Sequence, residues 1–407
     1  MTIHRAHIAL WLLMLSAALL AACSGSGGTG STTPHVTPPS ESPTASASPT
    51  GSGSPTPSAR PTVTASPSTS PTPTPRPSGT ASASPTSSPT VAPGCATPAA
   101  SPTAYPSGSL YVANRDDNAG GYPSSITVYA AGANGNAAPL GTIPNGTCTG
   151  MSLLIYGLAV DSAGRIYVGD TLNSRVLVYA PGANGAVAPI ETLGGSNTGL
   201  SGPATLSLDS AGHIWVANSG GNDVLEFPAF AAGTQNIAPI ATISGNSTNF
   251  FDQLECVAIG PASVIYTCLT GNEYAIEQFP AGTNSNNAMP SATLMGSDTG
   301  LSTPDGIAFD AGGNMYVVNE TAGGTGTLEV FTTTSGNVAP SETYSPGRFG
   351  PALNAAGDIA VVGVDNGTAS SINIYPPFVS GASGVLPMAT IQGSNTGLYE
   401  PVAVAYH

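Results

Sequence analysis

The sequence predicts an all-β fold: a ring of six four-stranded sheets, closed when the last strand of the chain joins the first sheet. Three observations predict it. An aromatic residue recurs in a Val/Ile-rich strand at Tyr129, Tyr179, Phe227, Phe279, Phe331 and Tyr375, in steps of 44 to 52 residues. A Pro-x-x-Thr motif follows each one, at Pro139/Thr142, Pro189/Thr192, Pro239/Thr242, Pro290/Thr293, Pro340/Thr343 and Pro387/Thr390. No repeat unit holds an apolar period of helical length, which excludes a parallel α/β sheet. Four short antiparallel strands recurring every ~40–50 residues make a β-propeller blade.

The chain opens with Arg5 and an apolar run from Ile8 to Ala22. Such a run has signal-peptide length and is too short for a comfortable transmembrane helix. It ends at Leu20-Ala21-Ala22-Cys23, which resembles the bacterial lipobox. That resemblance implies cleavage before Cys23 and acylation of its thiol. Residues 1–22 are then a signal peptide, and residues 23–105 a stalk. The stalk is almost wholly Ser, Thr, Pro, Gly and Ala. It cannot bury enough apolar area to offset the entropy of ordering, and its prolines favour an extended polyproline II chain. The expected location is the cell envelope, lipid-anchored and extracytoplasmic, with the membrane as one partner.

Residues 106–407 form the folded part. One unit shows its grammar: strand a at 157–161, strand b at 165–170 after the tight turn Asp161-Ser162-Ala163-Gly164, strand c at 175–180 and strand d at 190–193. Each is a short apolar or alternating run bounded by turn residues. The region begins at a strand b, Ser109–Asn114, and finishes with an orphan strand a, Pro401–Tyr406. Pairing the two completes the first blade and removes the exposed sheet edge.

Charge narrows the partners. The folded part carries Arg115, Arg165, Arg175 and Arg348 against 21 of the chain's 22 acidic residues, and the chain has no Lys. Phosphate backbones need clustered Lys and Arg, so nucleic acid is excluded. The expected partner is a protein or glycan met by a monomer. Besides Cys23, four cysteines remain, an even number that suggests disulfides in an exported chain. Cys256 and Cys268 are equidistant from the turn centre Ala262 on neighbouring strands and are expected to pair. Cys95 and Cys148 are expected to staple the stalk's exit to the ring.

The unit from Pro304 to Asn319 reads Pro-Asp-Gly-Ile-Ala-Phe-Asp-Ala-Gly-Gly-Asn-Met-Tyr-Val-Val-Asn. It resembles the NHL repeat, and the likeness covers the whole folded region. The resemblance implies a binding platform and names no ligand. Blade 6 departs most, with Asn354 in place of the Asp and Ala360 in place of the aromatic.

Three sets of residues are candidates for function. Strand b ends in Asn114, Asp170, Asn218 and Asn319 in four blades. Gluconolactonase-like propellers are similar in architecture and hold a divalent metal on channel oxygens. This resemblance makes the four residues candidate calcium ligands and a metal-dependent hydrolase the alternative function. Asn and Asp also end strands because they suit turn geometry. Departures from the repeat form the second set: the enlarged loop Arg115–Pro123 with Tyr122, then Phe250, Phe251 and Asp252, then Tyr399 and Glu400. Aromatic loop residues anchor sugars and proteins well, so these are expected to form a ligand-binding face. Phe250 and Phe251 could instead cover the edge of the core. The third set, the recurring loop Gly-Ser-Asn-Thr-Gly-Leu at 195–200 and 393–398, reads as a turn with its Leu between blades. No catalytic set emerges: the histidines beyond the signal peptide, His35, His213 and His407, lie away from the channel, and no triad can be built without a positioned base. No cofactor is predicted beyond that calcium.

Overall fold

The computed structural model describes Cys95 and residues 103–115, 123–250, 254–271, 274–320, 326–345, 347–365, 368–382 and 384–407. Cys23, the stalk up to residue 94, Tyr122, Phe251 and Asp252 lie outside the described residues.

Six blades of four antiparallel strands are present among the described residues, and in blades 2 and 3 a short fifth strand from the next blade, Gly233–Gln235 and Ser285–Asn286, pairs in parallel with strand d. Blade 2 has strand a at Ile155–Val160, b at Ile166–Asp170, c at Arg175–Tyr179 and d at Glu191–Gly194, each within two residues of its expected start. The innermost strands a of blades 3 to 6 are Pro203–Leu208, Leu254–Ile259, Pro304–Phe309 and Phe349–Leu353. Blade 1 takes its strand a from the C-terminus. Pro401–Tyr406 pairs antiparallel with Leu110–Asn114, in register Leu110↔Tyr406 to Asn114↔Pro401. Each strand a also packs on the strand a of the next blade, so the six enclose a central channel.

The repeated aromatic is the anchor of each blade. Tyr129, Tyr179, Phe227, Phe279, Phe331 and Tyr375 are at most 1% exposed. Where it is Tyr129 or Tyr179, the hydroxyl donates to the carbonyl of Thr396 (2.6 Å) or Thr149 (2.7 Å) in a d–a loop. Burial of a phenol requires such a partner.

The loop motifs hold neighbouring blades together. The carboxamides of Asn134, Asn184 and Asn284, in c–d loops, accept from the backbone N–H of Thr390, Thr142 and Thr242 in the previous blade's strand d. Two residues or so further on, Asn136, Asn236, Asn287 and Asn337 accept from Asn395, Asn197, Ser247 and Asp298 of the previous blade's d–a loop. The Pro-x-x-Thr motif therefore marks the strand that is latched, and the Asn residues of the next blade's c–d loop are the latch.

Inside the d–a loop, Thr198, Thr299 and Thr396 accept the N–H of Leu200, Leu301 and Leu398 two residues on. Thr248 does the same for Phe250. Phe250 thus occupies the repeat's Leu position. It is 1% exposed and meets Phe279 edge-on, with ring centroids 5.7 Å apart. The expectation that it faces a ligand is corrected: it is a core residue sealing blades 3 and 4.

Both disulfides form, Cys95–Cys148 with Cα atoms 5.2 Å apart and Cys256–Cys268 at 4.9 Å. The second sits across paired strands in register, as the turn-centre argument requires. Its loop spans 12 residues, against 53 for the first. In the chain-entropy model that makes the outer bridge the stronger, about 4 against about 3 kcal/mol.

Phe250→Ala should cost ~3–5 kcal/mol of stability, read as a lowered denaturant midpoint with an unchanged m-value. A stability within ~0.5 kcal/mol of wild type would return Phe250 to the surface.

Candidate functional site at the channel mouth

A small irregularity repeated in every blade builds the site. Near the start of each strand a, the pairing with strand b slips. A bulge of this kind re-aims a side chain out of the pleat. The extra residue is Val402 in blade 1, Tyr156 in blade 2, Glu255 in blade 4 and Asp305 in blade 5. The slipped stretch holds only Ala204 and Thr205 in blade 3 and Gly350 and Pro351 in blade 6. Small residues on blades 3 and 6 leave room for the larger side chains of blades 2, 4 and 5.

Residues at the adjoining loop ends complete the cluster. Arg115 follows strand b of blade 1. Its Nε lies 3.1 Å from Glu400 Oε2, and its guanidinium donates to the Tyr156 hydroxyl. Arg348, just before strand a of blade 6, has its Nε 3.3 Å from Glu320 Oε1. Thr270 donates to Glu255 Oε1 at 3.3 Å. Asp305 interacts electrostatically with Glu255, Glu320, Arg348 and Arg115, residues of four elements on blades 1, 4, 5 and 6. Only a position at the channel axis can bring these together.

The electrostatics are unusual. Burial, opposed by the Thr270 hydrogen bond and reinforced by the Glu320 charge, pushes the Glu255 carboxyl up to about 7. Burial raises Asp305 well above the usual carboxylate range; the charges of Glu255 and Glu320 add to this, and Arg348 and Arg115 oppose it. Asp305 Oδ2 is buried with no hydrogen-bond partner among the described residues. Burial thus biases the Asp305 carboxyl toward its protonated form and puts Glu255 close to its midpoint at neutral pH, beside two ion pairs that largely neutralise themselves. Such carboxyls can donate or accept a hydrogen bond and can exchange a proton with what binds.

The expected site residues fall differently. Asn114 Oδ1 accepts from Tyr399 N, Asn218 Oδ1 from Ser201 N, and Asn319 Oδ1 from Ser302 N and Thr303 N. The Asn218 amide donates to Gly199 O, and that of Asn319 to Gly300 O. Asp170 pairs with Arg175 at 2.9 Å and binds Asn173. These four clamp each blade's own loops and are buried. They do not fit a shared calcium ion, because the three Asn oxygens face backbone N–H groups of separate blades and Asp170 is taken by the Arg175 and Asn173 side chains. Of the expected face, Glu400 joins the cluster through Arg115, and Tyr399 is half-buried beside it. The residues that sequence reasoning missed are Tyr156, Glu255, Asp305, Glu320 and Arg348. One signal could have found them: two of the folded part's four arginines sit here.

A second concavity, about 340 Å³, lies between the a–b turns of blades 5 and 6, lined by Phe309, Tyr316 and Phe378. Its one acid, Asp310, is tied to Asn314 (2.7 Å) and Tyr316 (3.1 Å).

No family model matches the chain, and no curated protein does. Solved structures do. A Bacteroides caccae protein of unknown function is 10% identical with a TM-score of 0.50, covering 74% of this chain and 98% of that one. A candidate 6-phosphogluconolactonase from Bacteroides fragilis is 15% identical at a TM-score of 0.43, covering 74% and 98%. The PQQ-bound aldose sugar dehydrogenase of Streptomyces coelicolor is 15% identical at 0.40, covering 62% and 84%. At such identities the first of these likenesses is one of fold.

The raised carboxyls set a pH dependence. A carboxyl that holds its proton more tightly folded than unfolded stabilises the fold below the unfolded value near 4.5, and this stabilisation is lost as pH climbs past about 7. Glu191, also pushed up to about 7 by burial, adds to the trend. Melting temperature should therefore fall between pH 5 and pH 8, and Glu255→Gln should flatten the fall by an amount worth a few kcal/mol or less. Parallel curves for wild type and variant would refute the assignment.

Proposed function

We propose that this chain is an extracytoplasmic binding module, anchored through lipid on Cys23 and displayed on its Ser/Thr/Pro stalk, that seats a polar group of a protein or glycan ligand at the channel mouth. The convergence of Glu255 and Asp305 on one axis, with Asp305 Oδ2 buried and unpartnered among the described residues, carries the reading. A buried carboxyl without a partner costs ~1–3 kcal/mol, a cost that a ligand's hydrogen bond would offset. The ligand class is one that offers donors: amines, amides or hydroxyls. The charge balance favours it too, since the cluster holds four acids against two arginines. Paired cysteines agree with an exported protein.

A second reading rests on one observation. Glu255 near 7 beside Asp305, whose carboxyl burial also pushes up, could serve as a general base and acid pair, which keeps a hydrolase in view. It uses Glu255 and Asp305, not the strand-end Asn and Asp residues.

The test is a thermal-shift and titration screen of the mature protein against amino sugars, soluble muropeptides and Lys-containing peptides. A binding probe should raise the wild-type melting temperature by a few degrees, and Asp305→Asn and Glu255→Gln should weaken its affinity at least tenfold. A probe held equally well by both variants would place the site elsewhere. Probe turnover by wild type, lost in Glu255→Gln, would favour the hydrolase.

A further inference from the structure

A second cluster lies at the a–b turn of blade 3, at the opposite end of strand a from the bulges that build the channel mouth. His213 Nδ1 is 3.2 Å from Asp209 Oδ2 and 2.8 Å from Glu226 Oε1, and the three atoms lie within 4.8 Å of one another. Among the described residues this is the one set of three His, Cys, Asp or Glu side chains so arranged. The channel carboxylates form no such set.

The repeat separates what is structural here from what is not. The Asp of the a–b turn recurs as Asp161, Asp310 and, changed to Asn, Asn354. Its Oδ1 holds the turn by accepting two backbone N–H groups: Ala211 and His213 in blade 3, Ala163 and Arg165 in blade 2. That part belongs to the fold. The residue before strand b varies as Arg165, His213, Val264, Asn314 and Asp358. The residue before the buried aromatic is Val128, Val178, Gln278, Val330 and Ile374 in the other blades, and Glu226 in blade 3 alone. Two departures from the repeat thus meet at the one conserved turn acid of a single blade. A position that is apolar in four blades, exchanged for a carboxylate that is 13% exposed, is not something the fold requires.

We propose that Asp209, His213 and Glu226 form a binding site for a zinc-class divalent cation. A neutral imidazole has at most one proton on Nδ1, and two carboxylates face that one atom. Either a hydrogen bond is shared between two anions or a cation replaces the proton. The spacing suits the cation. Tetrahedral zinc with bonds of ~2.0–2.1 Å sets its ligand atoms ~3.3 Å apart. One nitrogen and two carboxylate oxygens are a mixed donor set that zinc accepts and calcium, which wants six or more oxygens, does not. The side-chain exposure of His213, 34%, leaves the fourth position open to water. The Asp209 ligand is already oriented. Its Oδ1 is fixed by the turn, and Trp215 Nε1 approaches Oδ2 at 3.5 Å. Such second contacts hold metal-ligating carboxylates in place. Bound there, the ion ties the a–b turn to strand c.

The test uses EDTA-treated folded protein, titrated with ZnCl2 by calorimetry and with CoCl2 by visible absorption. Wild type should bind one equivalent of zinc saturably, and cobalt should give the strong d–d bands of a tetrahedral site. The variants take residues that the repeat itself uses at these places, His213→Asn and Glu226→Val, so each should melt close to metal-free wild type. Both should lose at least tenfold in zinc affinity and the cobalt bands. Absence of saturable zinc binding in wild type, or undiminished binding in both variants, would overturn the proposal. Wild-type calcium binding in preference to zinc would overturn the assigned class.

Discussion

The structure depends on closure. A four-stranded blade is twisted, leaves apolar faces uncovered and exposes backbone at its edges. Six such blades solve the problem only as a ring. The ring is closed by one sequence-distant pairing, in which Val402, Ala403, Val404 and Ala405 pack into the largest apolar cluster with Leu110, Val112 and Ala113. The Asn latches repeat this logic at the periphery: each lends a side chain to the outer strand of the blade before it. Blade 1 latches blade 6 through Asn134 and Asn136 by the same pair of bonds that blade 4 makes to blade 3 through Asn284 and Asn287. The seam is therefore sealed twice, by a backbone pairing near the axis and by carboxamides at the rim.

Closure also explains why the site is where it is. Every strand a that lines the channel carries a bulge near its start, which shifts its register against strand b and re-aims a side chain. The bulge frees one residue per blade from the alternation of the pleat. Three of those freed positions carry Tyr156, Glu255 and Asp305. Their functional character is thus a by-product of geometry that every blade shares and that only some blades have filled with chemistry.

This accounts for what was legible in the sequence. Tyr129, its five equivalents and the Pro-x-x-Thr steps report periodicity, and periodicity is what a chain with nearest-neighbour blades writes plainly. The Cys256–Cys268 pair was legible because a turn centre fixes register; Cys95–Cys148 was legible because it joined the stalk's exit to a loop of the ring. Phe250 was misread because it looks like a departure from Gly-Leu, although it fills the same pocket with a larger side chain. Glu255, Asp305 and Arg348 were not legible as a set. They are separated by about one repeat each, and nothing local signals that bulged residues of blades 4 and 5 meet Arg348 of blade 6 at an axis. The strand-end Asn residues were conspicuous for the opposite reason: a clamp needed in every blade repeats, whereas a site needs to occur once.

The N-terminal staple gains meaning from the same geometry. Cys148 lies in the d–a loop that leads to Tyr156, so the bridge fixes Cys95 at the end of the ring that holds the channel mouth. Tyr105 is held at the other end. Its hydroxyl donates to Ala183 O in a c–d loop, its carbonyl meets His407 Nδ1 at 3.1 Å, and its ring meets Tyr111 edge-on. A load arriving through the preceding chain would otherwise reach Tyr105 first, then strip Leu110–Asn114 from the ring's closing pair. The disulfide diverts that load into the loop between blades 1 and 2, around the one pairing on which closure rests.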